Sequence, residues 1–248
     1  MMLLALFLWL AATPSPAELL NTAIAKHEAQ GDKKFTYREE REQWEASKDG
    51  PPKRTKFETY DVIMLEGDNY RKLVLVNGQP LDAKRQKQVD ADLEKTRATR
   101  RRKFGTIRRQ VSSGSLADLQ RLFDCTVTGE EVINGRKTWR LQAEPKPNYK
   151  PANPEEQKLL NTRRTLWFDQ ADGVEIKTNT LYTRTTDGFQ PGTELETQFA
   201  NFNGHWLFET LIFRYNLKAM TVVRLKGEAR YRYYDYKLFQ TESKLVPE

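Results

Sequence analysis

Three tight turns divide the second half of the chain, and they limit its fold more than any other feature. The turns are Asn134-Gly135, Asp172-Gly173 and Asn203-Gly204, and each separates two runs rich in Val, Ile, Thr and aromatic residues. Asn-Gly and Asp-Gly readily supply the positive φ angles that two-residue hairpin turns need. The pattern therefore predicts three consecutive β-hairpins between Phe123 and Ala219, and with them a long antiparallel sheet.

Strands are also predicted on both sides of this region. Thr55 to Leu65 and Tyr70 to Val76 form a hairpin that is apolar on both faces, so it needs core on one face and helices or a ligand on the other. Phe35 to Ser47 is almost wholly polar and is typical of a charged edge strand. The last strands are predicted at Leu217 to Lys226 and at Glu228 to Thr241. We expect about nine to eleven strands in a curved sheet.

Helices are predicted in three places. Glu18 to Gln30 carries an apolar stripe that ends at Gly31, and Asp82 to Lys103 is helical by propensity with a thin stripe. Ser115 begins a short helix with a capping box. The proline-rich segment from Glu144 to Pro154 is predicted to be extended. Two or three helices against the sheet give a mainly β, α+β fold.

Residues 1–17 have the pattern of a secretory signal peptide. Leu3 to Ala12 is an unbroken apolar run, too short to span a bilayer, and Ser15-Pro16-Ala17 places small residues at a cleavage site. We expect one domain over residues 18–248, periplasmic and soluble after cleavage. Cys125 is the single cysteine, so a disulfide within the chain is excluded, and we expect a small buried hydrophobe there.

The sequence contains no catalytic motif that we can identify. His27 and His205 are the two histidines, and the chain has no HExxH pattern, no G-x-S-x-G elbow and no phosphate-binding glycine loop. We therefore predict a protein that is not an enzyme and that has no metal site and no cofactor.

One segment is strongly basic. The chain has 41 basic and 34 acidic residues, a net charge of +7, and it has no acidic residue between Lys95 and Arg109. An aromatic-interleaved nucleic-acid module does not accompany this run, so no nucleic-acid partner is predicted. An alternative is an ordinary solvated face. The residues predicted to contact lipid headgroups or an anionic membrane surface are Arg100, Arg101, Arg102 and Arg109.

The order of these features resembles a known family. An export signal, a first helix, strands interrupted by a helical segment, and hairpins that contain Thr165-Leu166-Trp167-Phe168-Asp169 are similar to the periplasmic lipoprotein-carrier and lipoprotein-sorting superfamily. The segment from Phe123 to Pro151 also resembles uncharacterised exported bacterial proteins. The superfamily resemblance implies an unclosed antiparallel barrel, a half-barrel with helices on its concave side, whose apolar hollow holds acyl chains.

These observations lead to one main hypothesis and one alternative. The first is a monomeric carrier that binds a lipid or an acylated protein in an apolar hollow. The alternative is a non-catalytic cell-envelope interaction or sensor module without a small ligand. The residues predicted to line the hollow are Val62, Met64, Leu73, Leu75, Trp167, Phe199, Trp206 and Phe213.

Overall fold

In the part of the chain that the structure describes, the dominant feature is an antiparallel sheet of eleven strands. The structure is a computed structural model that describes residues 13–31, 33–46, 51–102, 115–219 and 223–239. The strands are β1 (Phe35–Glu45), β2 (Lys53–Leu65), β3 (Asp68–Val76), β4 (Gln79–Pro80), β5 (Phe123–Ile133), β6 (Arg136–Pro145), β7 (Thr162–Asp169), β8 (Glu175–Tyr182), β9 (Glu194–Phe202), β10 (His205–Ala219) and β11 (Val223–Leu238). The described helices are α1 (Pro16–Gln30), α2 (Ala83–Arg102), α3 (Leu116–Leu122) and α4 (Pro154–Leu160).

The strand order shows that the sheet is unclosed. It runs β4-β3-β2-β1-β11-β10-β9-β8-β7-β6-β5, so β4 and β5 are the two edges. The predicted fold class, a mainly β protein with an unclosed antiparallel sheet and helices, is confirmed. The described residues contain four helices instead of the expected two or three. No described helix combines the length and the apolar character that a membrane span requires.

The three predicted hairpins are confirmed. They join β5 to β6, β7 to β8 and β9 to β10. At two of the turns both residues have positive φ: 50° and 79° at Asn134 and Gly135, and 51° and 83° at Asn203 and Gly204. Tight hairpin turns need positive φ angles at both central residues, and an Asn-Gly pair adopts them readily.

The prediction that β1 is an edge strand is wrong. β1 lies in the interior of the sheet and pairs along its length with β2 on one side and β11 on the other. Charged side chains of β1 form ion pairs with oppositely charged side chains of these neighbouring strands: Arg38 pairs with Asp61 and Glu40 with Arg232. The charges that indicated an edge therefore stabilise cross-strand pairs.

The two faces of the sheet differ in chemistry. Side chains of directly paired residues point to the same face. Following the register from Leu166 in β7 leads to Arg41 in β1 by way of Thr178, Thr197, Leu211 and Tyr231. We call this the helix-covered face, because α1 and α3 pack on it. Ion pairs such as Arg38–Asp61 lie on the opposite face.

The main core lies under α1 and α3, towards the β5 edge. The helices contribute Leu19, Leu20, Ala23, Leu119 and Leu122 to it, and the strands contribute Phe123, Leu141, Ala143, Leu166 and Phe168. All of these side chains are buried. The helices thus cover one end of the sheet, and this leaves the same face around β1, β10 and β11 to other side chains.

Several boundaries differ from those predicted. α1 begins at Pro16 with Ser15 as its N-cap, two residues before the predicted helix start at Glu18. α4 begins at Pro154, the last residue of the proline-rich segment, and was not predicted, although Asn153 caps it. The strand predicted at Leu217 to Lys226 does not exist as one strand, because β10 continues to Ala219 and β11 begins at Val223.

Candidate functional site

A cavity of about 300 Å³ opens where β1, β10 and β11 meet the β2–β3 turn. We call it the aromatic hollow. β1 and the residues just before it supply Lys33, Lys34, Phe35 and Tyr37, and the other strands and the turn supply Met64, Gly67, Asp68, Asn69, Leu207, Phe208, Tyr233 and Tyr236. The first strand and the last strand of the described chain therefore build one wall together.

Aromatic rings form a continuous row along this wall. The ring centroids of Tyr37 and Tyr236 are 5.0 Å apart, and those of Tyr37 and Tyr233 are 6.0 Å apart. Phe208 continues the row, 6.0 Å from Tyr233 and 4.9 Å from Phe199. Rings at these distances attract one another and present a broad apolar surface.

The tyrosines of the hollow are uncharged at physiological pH. Burial raises the pKa of Tyr37, Tyr233 and Tyr236 above its ordinary value, because a phenolate would lose its hydration there. The hydroxyl of Tyr236 donates a hydrogen bond to the carbonyl oxygen of Phe208 at 2.8 Å. The polar tip of Tyr236 is therefore directed at the protein itself.

The rim of the hollow is partly exposed and basic. Phe208 is 47% exposed, which is unusual for so large an apolar side chain. Lys33 and Lys34 are exposed at the entrance to β1. Lys34 Nζ donates to the carbonyl oxygen of Gly67 at 2.5 Å, which links the rim to the β2–β3 turn. The mouth of the hollow is therefore both partly apolar and positively charged.

A second cavity of about 320 Å³ lies beside the C-terminal end of α1. Gln30 of α1 closes part of it and accepts a hydrogen bond from the Trp206 backbone N at 3.1 Å. His205, the first residue of β10, is half-buried, and its ring centroid lies 5.3 Å from that of Phe35. Most of the lining is polar, including Lys26, Lys33, Asp172, Asn201 and His205.

The predicted lining residues divide between the hollow and other places. Met64 lines the hollow, and Phe199 borders it through Phe208. Val62 is buried in β2, whereas Leu73 and Leu75 are half-buried in β3 and do not line either cavity.

The remaining three predicted lining residues lie elsewhere. Trp167 is buried with Val174 and Ile176 in a small second core. Trp206 lines the second cavity, and its ring lies 5.2 Å from the Arg136 guanidinium carbon. Phe213 packs edge-on against Phe189 at 5.3 Å.

The predicted basic contacts have different surroundings. Arg100 is half-buried, not exposed as expected, because its guanidinium donates to the carbonyl oxygens of Leu65, Asp68 and Asn69 at 2.8–2.9 Å. It thereby fixes α2 to the turn that borders the hollow.

The neighbours of Arg100 are more accessible. Arg101 pairs with Glu66 at 2.9 Å, and Arg102 is exposed. Arg109 lies outside the described residues. The membrane role of all four arginines stays a prediction.

Cys125 is half-buried, and burial raises the pKa of its thiol. At neutral pH it is therefore protonated, as expected of a structural cysteine. Within the described ranges no group of three or more His, Cys, Asp or Glu side chains is placed to hold a metal ion.

Sequence reasoning missed most of the hollow. Phe35 and Tyr37 carry a usable signal, since they stand two positions apart in β1, and that spacing predicts one aromatic face for this strand. Tyr233 and Tyr236 stand three positions apart in β11, where the pairing with β1 has a register shift, so the spacing does not predict that they share a face. It does not show that the two strands are neighbours.

The chain matches no protein-family model, and no curated protein matches it in sequence. It is similar to the solved structure of a LolA superfamily protein from Nitrosomonas europaea, with 12% identity over 95% of this chain and 99% of that one and a TM-score of 0.38. A putative outer membrane lipoprotein-sorting protein domain from Vibrio parahaemolyticus gives 12% identity, 94% and 95% coverage and a TM-score of 0.40. The MucA/MucB complex of Pseudomonas aeruginosa gives 11% identity, 88% and 93% coverage and a TM-score of 0.27.

These LolA superfamily and lipoprotein-sorting structures are what the chain is similar to, and at TM-scores of 0.38 and 0.40 the likeness carries no argument about the superfamily of this chain. At 12% identity no residue's role can be transferred to this chain. Function must be argued from the residues of the hollow.

Proposed function

We propose that this chain is an exported carrier that binds one acyl chain of a lipid or an acylated protein in the aromatic hollow. One observation carries the proposal: a row of rings lines an open cavity on the helix-covered face, away from the helices that fill the main core. Rings that only complete a core are enclosed by other side chains. Phe208, in contrast, is 47% exposed at the mouth of the cavity.

The size of the hollow agrees with a single chain. Its volume of about 300 Å³ is at the lower end for small-molecule sites. Each methylene group removed from water contributes about 0.8 kcal/mol, so a short stretch of acyl chain is enough for useful affinity. The uncharged tyrosines add contact area without a buried charge.

The cellular setting belongs to the same proposal. The apolar run from Leu3 to Ala12 and the small residues before Glu18 support export by a signal peptide. We expect the mature domain, residues 18–248, to act in the periplasm and to meet lipid or acylated protein there. Lys33 and Lys34 give the mouth of the hollow a positive charge, which favours the approach of anionic amphiphiles.

A fluorescent fatty-acid analogue tests the hollow. The variant Phe208→Asn places a polar group at the mouth and removes apolar contact area. We expect its affinity for the analogue to fall several-fold, equivalent to about 1 kcal/mol or more. Thermal unfolding of the same samples shows that the fold is retained.

Leu225→Asn is the matched control, because Leu225 is 49% exposed in β11 and does not line the hollow. It should leave binding unchanged. Equal losses in the two variants, or a parent protein that does not bind the analogue, would contradict the proposal and favour the interaction module without a small ligand.

A further inference from the structure

A fully buried carboxylate lies in the middle of β1, next to the hollow. Glu39 is 0% exposed, and its two oxygens accept from two different arginines. Arg41 Nε contacts Oε1, and Arg71 Nε in β3 donates to Oε2 at 2.8 Å. A buried carboxylate needs such partners, and in return it fixes the position of both guanidinium groups.

Both arginines use only Nε for this contact. Among the described residues, neither arginine donates a hydrogen bond from an Nη atom. The Arg41 side chain is 33% exposed and that of Arg71 is 53% exposed, so these donors are accessible to solvent. Two guanidinium groups that converge on one anchor and direct further N–H donors outward are suited to an oxyanion.

The immediate surroundings restrict the Arg41 guanidinium further. Its carbon lies 4.8 Å from the Tyr60 ring centroid and 5.5 Å from that of Tyr231, which limits its rotation. Glu58 faces the same side, accepts from the Tyr60 hydroxyl and pairs with Lys56 at 3.0 Å. The cluster thus holds three cationic side chains and two carboxylates, so it is left with one uncompensated positive charge.

The cluster and the hollow share a wall. Tyr37 and Tyr233 line the hollow, and both are close enough to Glu39, Arg41 and Arg71 for these charges to influence their hydroxyl groups. Tyr37, Glu39 and Arg41 follow one another on one face of β1, because alternate residues of a strand point the same way. A ligand with an apolar chain in the hollow could therefore reach the arginines with its polar end.

We infer that Arg41 and Arg71, positioned by Glu39, form an oxyanion site for the phosphate group of an acidic single-chain lipid whose chain occupies the aromatic hollow. This inference rests on the proposed function and adds the class of headgroup. Glu39 is a positioning residue, whereas the two arginines contact the ligand. Inorganic phosphate offers the same chemistry without the chain, and the experiment separates the two sources.

The experiment compares three probes by isothermal titration calorimetry, with the amphiphiles below their micelle concentrations. Dodecyl phosphate has both chain and anion, dodecyl maltoside has the chain alone, and inorganic phosphate has the anion alone. We expect dodecyl phosphate to bind about tenfold or more tightly than dodecyl maltoside, because charged hydrogen bonds are added. Arg71→Gln should remove this preference and leave the affinity for dodecyl maltoside unchanged.

Arg38→Gln is the matched control, since it makes the same charge change in β1 on the opposite face, where Arg38 pairs with Asp61. It should keep the preference. Arg71→Lys provides a second variant that retains the charge, and it should reduce the preference without abolishing it. Unfolding curves of each variant confirm that binding is measured on folded protein.

The possible outcomes separate this inference from the proposed function. An equal preference for dodecyl phosphate in the parent, Arg71→Gln and Arg71→Lys overturns the anion site, even if dodecyl maltoside binds. If dodecyl phosphate binds no better than inorganic phosphate, and both depend on Arg71, the anion site stands and the acyl-chain hollow fails. No preference in the parent protein overturns the inference directly.

Discussion

Arg136 and Asp169 form a bidentate ion pair: Nε lies 2.6 Å from Oδ2, and Nη2 lies 2.9 Å from Oδ1. Asp169 is only 2% exposed, and its Oδ1 also accepts from the backbone N of Ala171 and of Asp172. One carboxylate thus joins the start of β6 to the end of β7 and fixes the turn that follows. This pair is a structural device of the middle hairpin.

Replacing this carboxylate should weaken the fold. Asp169→Asn keeps the shape of the side chain and removes the charge, so we expect the free energy of unfolding to fall by about 2 kcal/mol, the range for hydrogen bonds to charged groups. Urea unfolding of the variant and the parent measures this difference in free energy. Asp172→Asn is the control, because Asp172 contacts the same arginine from a side chain that is 44% exposed. Similar losses in the two variants would show that burial of Asp169 contributes nothing.

The same pair predicts how stability depends on pH. Burial alone would raise the pKa of Asp169, but hydrogen bonds from Arg136 and from the turn backbone outweigh it, and the pKa is lowered. The carboxylate therefore stabilises the fold above its unfolded pKa of about 3.9, and this contribution is lost as the pH falls through the folded pKa. Between neutral pH and pH about 3, Asp169→Asn should lose less stability than the parent. If the free energy of unfolding falls equally with pH in Asp169→Asn and in the parent, this prediction is contradicted.

Two tryptophans near the middle hairpin should respond differently to truncation. Trp167 is buried, and its Nε1 donates to Glu131 at 2.7 Å, so Trp167→Ala should cost about 3–5 kcal/mol in unfolding free energy. Trp206 is half-buried beside the second cavity, and Trp206→Ala should cost clearly less. Thermal and urea unfolding compare them. If Trp206→Ala costs more unfolding free energy than Trp167→Ala, Trp167 is not the main side chain of the small second core.

The basic segment from Arg101 to Arg109 can be tested while the hydrogen bonds of Arg100 are retained. We expect the triple variant of Arg101, Arg102 and Arg109 to Gln, with Arg100 retained, to bind anionic vesicles less, by up to about 1 kcal/mol per residue. Co-sedimentation at low and high salt measures this. The triple variant of Lys84, Arg85 and Lys87 to Gln makes the same charge change at the other end of α2. Equal effects would mean that only net charge matters.

Local signals in the sequence predicted local structure well. Asn134-Gly135 and Asn203-Gly204 specify their turns because the backbone angles depend on these residues alone. The capping box of Ser115 with Asp118 is likewise complete within four residues and is present in the structure. Such features need no knowledge of the rest of the chain.

Long-range neighbours could not be predicted in the same way. The charges of β1 predict an edge strand because their partners lie far away in sequence; Glu40 and Arg232 are separated by 192 positions. The lining of the hollow could not be predicted for the same reason, because Tyr37 and Tyr236 come from opposite ends of the chain. A strand's periodicity gives the face of each side chain, and the neighbouring strand supplies the rest of the site.

The pairing of β1 with β11 has a consequence for how the protein is made. β11 fills the seam between β1 and β10, so a chain that ended before Val223 would leave two long strands with unsatisfied edges. Contacts between such distant segments also form slowly during folding. Phe35 and Tyr236 face the hollow together only after the last strand has been synthesised and inserted. If the hollow binds as proposed, cargo loading must follow completion of the chain.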